Sequence, residues 1–244
     1  MRFQRVSFIL ALCILLNMGV KSQVIISLIF GEALNSPRVE FGLDGGLTLS
    51  QMPGLSPSSR LNTFNLGFYF DFKFKNMAWM INTGVLVKST VGAESIPVYP
   101  VENSNINTVF KDGQVTRKLS YFYVPVFLKH KFKSNFFVKG GIQLGLMHKA
   151  YDEFSTSIDE DEDLQFSNKI IDNYKRLDAG VTAGIGYRLM GGNGMNLGIQ
   201  YYEGLMNITK DGQGTFHRNR ALYINVGIPI GAAKKKEKLQ EAKD

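Results

Sequence analysis

The sequence predicts an all-β protein: an eight-stranded antiparallel up-and-down transmembrane β-barrel with four long extracellular loops and short periplasmic turns. Three observations carry that prediction. The N-terminus reads as a secretory signal, residues 38–230 alternate apolar with small or polar residues in eight segments, and the connections between those segments alternate long and short. Beyond the N-terminus no window of ~18 apolar residues exists to form a membrane helix, and 44% hydrophobic content would by itself suggest a water-soluble chain. Transmembrane strands of roughly 10 residues hide their apolar face in alternation, so hydropathy detects them poorly.

The signal comes first. Arg2 and Arg5 form a positive start, Val6 to Leu16 an apolar stretch, and Val20-Lys21-Ser22 a tolerable cleavage site before Gln23, the order in which a secretory signal is built. Residues 1–22 are expected to be removed. A retained anchor fits less well, because the apolar run is short and Asn17 and Lys21 interrupt its flank. Cys13 is the single cysteine and lies inside the signal, so a mature chain would have no disulfide, thiolate metal site or Cys nucleophile. Arg2, Arg5 and Lys21 leave with a segment that holds no acid, and the formal charge falls from +7 to +4. That balance gives no nucleic-acid footprint. Residues 23–37 form an N-terminal periplasmic segment, 38–230 the barrel, and 231–244 a Lys-rich periplasmic tail.

Each strand shows a period of two, the spacing of a strand with two unlike faces. The first places Val39, Phe41, Leu43, Leu47 and Leu49 against Glu40, Gly42, Asp44, Gly46 and Thr48. The second is a ladder of Phe64, Leu66, Phe68, Phe70, Phe72 and Phe74 with Asn65, Gly67, Tyr69, Asp71 and Lys73 between them. A two-residue link at Lys75-Asn76 predicts a hairpin into the third, which sets Trp79, Ile81, Val85 and Val87 against Met80, Asn82, Gly84 and Lys88. The fourth has Phe122, Val124, Val126, Leu128 and Phe132 opposite Tyr121, Tyr123, Pro125, Phe127, Lys129 and Lys131. The fifth has Phe136, Val138, Ile142, Leu144 and Leu146 opposite Lys139, Gly141, Gln143 and Gly145. The sixth alternates from Leu177 to Leu189 with Asp178, Gly180, Thr182, Gly184, Gly186 and Arg188. The seventh carries Leu197, Ile199 and Tyr201, and the eighth Leu222, Ile224, Val226, Ile228 and Ile230. Long connections at 50–61, 89–117, 149–176 and 206–218 alternate with short ones at 75–76, near 134 and at 190–193. In outer-membrane barrels short turns face the periplasm, and an even strand number leaves both termini there.

The composition of the polar face separates lipid from water. A water-facing surface would carry many Lys, Glu and Thr, whereas here Gly, Asn, Gln and Tyr dominate, as a cramped lumen requires. Its few charges, Glu40, Asp44, Asp71 and Asp178 against Lys73, Lys129, Lys139 and Arg188, are expected to pair internally, since buried charge is costly unpaired. Lys73 and Arg188 fall near the periplasmic rim, where hydration is the alternative. Phe72, Phe74, Trp79, Phe132 and Phe136 come out at one height on the lipid face, the place of a periplasmic aromatic girdle. Phe64, Phe122 and Tyr201 belong to the opposite rim.

Catalytic and cofactor chemistry has no clear foothold. His130, His148 and His217 are not placed beside a nucleophile, so interfacial or solvated histidines are expected. The glycines at 184–186 and 191–194 fall in a strand and a hairpin, not in a phosphate-binding turn before a helix. The run Asp159-Glu160-Asp161-Glu162-Asp163 begins like a calcium loop, but Leu164 stands where Gly is needed and Ile170 where the bidentate Glu should be. A solvated acidic tip is expected, with weak divalent bridging to lipopolysaccharide as its sharper alternative. No metal site and no cofactor are expected. Lys234, Lys235, Lys236, Lys238 and Lys243 in the tail give either a solvated end or a contact for an acidic periplasmic partner.

Tyr121-Phe122-Tyr123-Val124-Pro125-Val126-Phe127-Leu128-Lys129, followed by Phe136-Phe137-Val138-Lys139-Gly140-Gly141-Ile142-Gln143-Leu144-Gly145, resembles the PorT-like outer-membrane β-barrel family of Bacteroidota. The resemblance extends loosely over residues 38–230. It implies an eight-stranded barrel and, for PorT itself, a part in the type IX secretion route. The expectation is a non-enzymatic barrel that contacts outer-membrane lipid, lipopolysaccharide and other proteins of a secretion, uptake or surface complex. The competing expectation is a minor pore or small-ligand barrel. A filled, charge-paired lumen favours the first and a continuous water path the second.

Overall fold

The computed structural model describes residues 36–230, apart from 76–77, 102–103, 160–161, 193 and 211–215. The signal, most of the segment 23–37 and the Lys-rich tail lie outside the described residues.

Strands form where the alternation predicts them. In chain order they are β1 (Val39–Gln51), β2 (Ser59–Lys73), β3 (Trp79–Ile96), β4 (Gln114–Lys131), β5 (Phe136–Asp159), β6 (Glu162–Lys169), β7 (Leu177–Arg188), β8 (Asn196–Gly204) and β9 (Arg220–Pro229). All pairings are antiparallel. Eight strands close a ring in the order β1-β2-β3-β4-β5-β7-β8-β9, with β9 returning to β1. Closure satisfies the backbone hydrogen bonds of every stave and removes the sheet edges that lipid could not solvate. The ninth strand, β6, stands outside the ring and pairs with the far half of β5.

The turn end of the barrel is compact. Phe74 N–H donates to the Trp79 carbonyl, Phe132 N–H to Phe136 and Leu189 N–H to Met195, each at 2.9 Å. The first of these turns covers residues 74–78 and so exceeds the two-residue link expected at Lys75-Asn76. In the third, Met190 and Gly191 adopt left-handed conformations with φ of 50° and 58°.

At the other end, two connections read as loops, 89–117 and 149–176, are largely built. β3, β4 and β5 continue well past the apolar ladder, a short helix α1 (Ser104–Val109) links β3 to β4, and β6 with a 3-10 turn (Ile171–Asn173) fills the connection to β7. Val91, Ala93, Ile96, Val115, Leu119, Phe154, Ile170 and Ile208 form a buried apolar core among these pieces. A folded cap therefore sits on the barrel.

Two β-bulges explain why that cap escaped the sequence pattern. On β3 the register passes from Gly67 opposite Leu86 to Leu66 opposite Lys88, and on β5 from Tyr121 opposite Met147 to Ser120 opposite Lys149. One extra residue reverses the faces of everything beyond it. On β5 the even-numbered apolar residues Ile142, Leu144 and Leu146 point outward, whereas past the bulge Ala150 and Phe154, also even-numbered, are buried. On β3 the odd-numbered Val85 and Val87 line the wall, whereas Val91 and Ala93 are buried. The bulge also corrects Lys88, expected in the lumen: it is exposed, its ammonium 5.9 Å from the centroid of the outward Phe64 ring.

Candidate functional site

A barrel can act through its wall, its bore or its ends. The wall is apolar throughout its height: Ile142, Leu144, Val181, Ile185 and Ile199 are between 46% and 64% exposed. A water-soluble protein rarely leaves so much contiguous apolar surface bare. Phe72, Phe74, Trp79, Phe132 and Phe136 all lie on this outer face at the turn end, 38% to 57% exposed. His130 joins them, its ring centroid 4.4 Å from Trp79 and 4.7 Å from Phe132. Tyr187 packs edge-on to Phe136. At the loop end His148 stacks on Phe122 with centroids 4.3 Å apart.

The bore is filled from the turn end upward. Glu40 is buried and receives Arg188 Nη1 at 2.9 Å, Lys73 Nζ at 3.5 Å and the Tyr69 hydroxyl at 3.1 Å. Hydration, the alternative for Arg188, does not fit its 7% exposure; Lys73 remains partly open. Above this cluster Lys129 Nζ lies 2.7 Å from Asp71 Oδ2, and the Asn82 amide donates to Oδ1 at 2.7 Å. Lys129 also sits over the Phe137 ring at 4.5 Å. Asp44 accepts from Asn225 at 3.2 Å. Lys139 makes no salt bridge among the described residues; it borders the same cavity as Asp44 and lies 5.3 Å from the Phe127 ring centroid. Asp178 is held by neutral groups, the Tyr123 hydroxyl and the Asn219 amide, each at 2.8 Å.

A layer of tyrosines seals the bore. Tyr121, Tyr123, Tyr202 and Tyr223 are each at most 1% exposed, and glycines on facing strands make room for them. A Cβ on Gly145 would overlap the Tyr123 ring, and one on Gly180 would meet the Tyr202 ring at 2.6 Å. Below this layer two cavities measure about 30 and 20 Å³, enough for a water molecule or two. The alternation places Tyr121 and Tyr123 on the inner face but gives no sign that the four tyrosines meet in one layer.

The loop end contains a group of polar contacts that sequence reasoning missed. Asp152, fully buried, accepts Arg117 Nε at 2.7 Å and Nη2 at 2.5 Å, and the Tyr99 hydroxyl donates to it at 2.7 Å. Burial and the neighbouring carboxylate push the Tyr99 phenol up to about 12. The bulge on β5 is what turns Asp152 inward, and no local motif records it. His217, expected to be solvated, is buried, and its backbone N–H donates to Asn207 Oδ1 at 3.2 Å; burial and the Arg117 charge lower its pKa. The acidic run falls at the β5–β6 hairpin tip, with residues 160–161 outside the described residues. Among the described residues no group of three His, Cys, Asp or Glu could hold a metal ion.

A closed eight-stranded ring with an apolar wall, outward-facing aromatics at its turn end and a polar packed bore defines a small outer-membrane β-barrel protein. The family model described as outer membrane protein beta-barrel domain matches residues 32–210, and the chain belongs to that family. Solved structures with similar architecture include Ail, the attachment invasion locus protein of Yersinia pestis, at 12% identity over 79% of this chain and 99% of that one, TM-score 0.42. Neisserial surface protein A matches at 11% identity over 77% and 96%, TM-score 0.39. OprG from Pseudomonas aeruginosa matches at 13% identity over 79% and 94%, TM-score 0.32. No curated protein matches the sequence at a significant level.

Proposed function

We propose that this chain is a non-enzymatic, non-conducting outer-membrane barrel that serves as an accessory subunit of a larger secretion, uptake or surface complex. The filled bore carries the reading. Paired charges and a tyrosine layer leave cavities of about 30 and 20 Å³, so passage would require the interior to repack, and function falls to the ends and the wall. Short turns face the periplasm in barrels of this class, with both termini on that side; by that rule the folded cap stands outside the cell and the Lys-rich tail enters the periplasm. The resemblance to PorT-like barrels supports a secretion complex of the type IX kind as the first candidate.

Extraction from native outer membranes in mild detergent tests the reading. A protein recovered in fixed proportion with the barrel is the expected result. Recovery as a lone monomer, or steady conductance of the pure protein in planar bilayers, would overturn it in favour of a pore or ligand-binding barrel.

A further inference from the structure

The cap holds a polar pocket of about 250 Å³. Its size lies just below the ~300 Å³ at which pockets for drug-sized ligands begin, so its natural occupant has the dimensions of a single sugar or amino acid. Arg117 and Tyr99 border it, and both are fixed from behind by the buried Asp152. Tyr99 is further held by the Asn168 amide at 3.3 Å. Thr209, also in the lining, gives its hydroxyl proton to Asn207 at 2.8 Å, which leaves its oxygen free to accept. The site is therefore preorganised, and little ordering cost remains for a ligand.

The chemistry of the lining narrows the occupant. Asn168, Asn173 and Thr209 offer alternating donors and acceptors, the pattern that sugar hydroxyls need. The Arg117 charge is balanced by Asp152, whereas Lys169 is exposed and has no ion-pair partner among the described residues. The pocket thus carries one uncompensated positive charge. A free amino acid would need an anionic partner for its ammonium group, and Asp152 is already engaged. A phosphate would favour a guanidinium whose charge is unbalanced, and that of Arg117 is balanced by Asp152.

We infer that this pocket binds one carboxylated sugar unit of the uronate class, its carboxylate on Lys169 and its hydroxyls on Asn168, Asn173 and Thr209. This rests on the outward orientation of the cap given above. Two kinds of molecule can supply such a unit, a membrane-anchored lipopolysaccharide and a free acidic polysaccharide.

The full-length barrel, purified in detergent free of lipopolysaccharide, is titrated with glucuronate, glucose and inorganic phosphate and followed by NMR. Glucuronate is expected to saturate the site and to bind roughly tenfold more tightly than glucose, the contribution of one charge-assisted hydrogen bond. Lys169→Ala, at an exposed position, should reduce glucuronate to the level of glucose. Asn168→Ala should weaken both sugars. Equal binding of glucuronate and phosphate, no binding of either sugar, or an unaffected Lys169→Ala variant would overturn the inference. Competition with purified lipopolysaccharide and with a polyuronate then identifies the source: displacement by one or the other is expected, and displacement by neither would again overturn it. The titration needs neither a protein partner nor a bilayer, so its failure is separable from failure of the subunit reading.

Discussion

Single side chains inside the bore carry strong energetic consequences because no solvent compensates for their loss. Asp71 is fully buried and Lys129 4% exposed, so removing one partner leaves a naked charge. Asp71→Ala should cost about 3–5 kcal/mol in urea unfolding from detergent, whereas replacing both residues with apolar ones of similar volume should restore most of that loss. Trp79, the single tryptophan, stands at the turn-end rim and reports the transition by its fluorescence. At this scale the sequence was informative about residue type and poor about partners. Its charges of both signs on the inner face announced a network but named no pairs, since the strands of Asp71 and Lys129, and those of Glu40 and Arg188, are not neighbours in the ring. It could not show that Asp178 would be satisfied by Tyr123 and Asn219, because that match depends on the relative height of β4, β7 and the last connection.

Elements show where alternation stops being a sufficient guide. Every stave of the ring was legible, since the lipid face demands an unbroken apolar stripe. β6 was not, because Glu162–Lys169 has neither a continuous stripe nor glycines to mark its turn. The ring closes without it. Shortening the chain across the β5–β6 hairpin, from Ser155 to Gln165, should therefore leave the barrel able to refold into detergent, with its heat-dependent gel shift intact. Loss of folding would show that the cap is needed for closure. The last connection should respond to acid. His217 has its pKa lowered from 6.5 by burial, so it favours the folded state while neutral. Its contribution is complete above the unfolded value of 6.5 and declines as pH falls below it toward the folded value. Hydrogen exchange around 205–219 should accelerate on acidification over that window, and a His217→Gln variant should lose most of the pH dependence.

For the molecule as a whole, the membrane is the solvent that sets the pattern. Apolar side chains cover the wall and polar ones fill the interior, the reverse of a water-soluble domain, and a charge on the wall should be costly by depth. Val181 is paired with Ile142 near mid-height, so Val181→Arg should destabilise the barrel by about 2–4 kcal/mol, against about 0–1 for the same change near a rim; equal costs at both heights would argue against a lipid-facing wall. Above the wall the arrangement returns to that of an aqueous protein. The changeover occurs at Lys88 on β3 and His148 on β5, where one inserted residue swings an apolar stripe from outside to inside. These two positions thus draw a waterline on the protein. The spans beneath them, Trp79 to Val87 and Phe136 to Leu146, match the ~9–11 residues with which a tilted strand crosses hydrocarbon. What lies above that line can lengthen, shrink or change its surface chemistry without altering the fit to the bilayer below, so the chain carries a fixed hull and a superstructure free to vary.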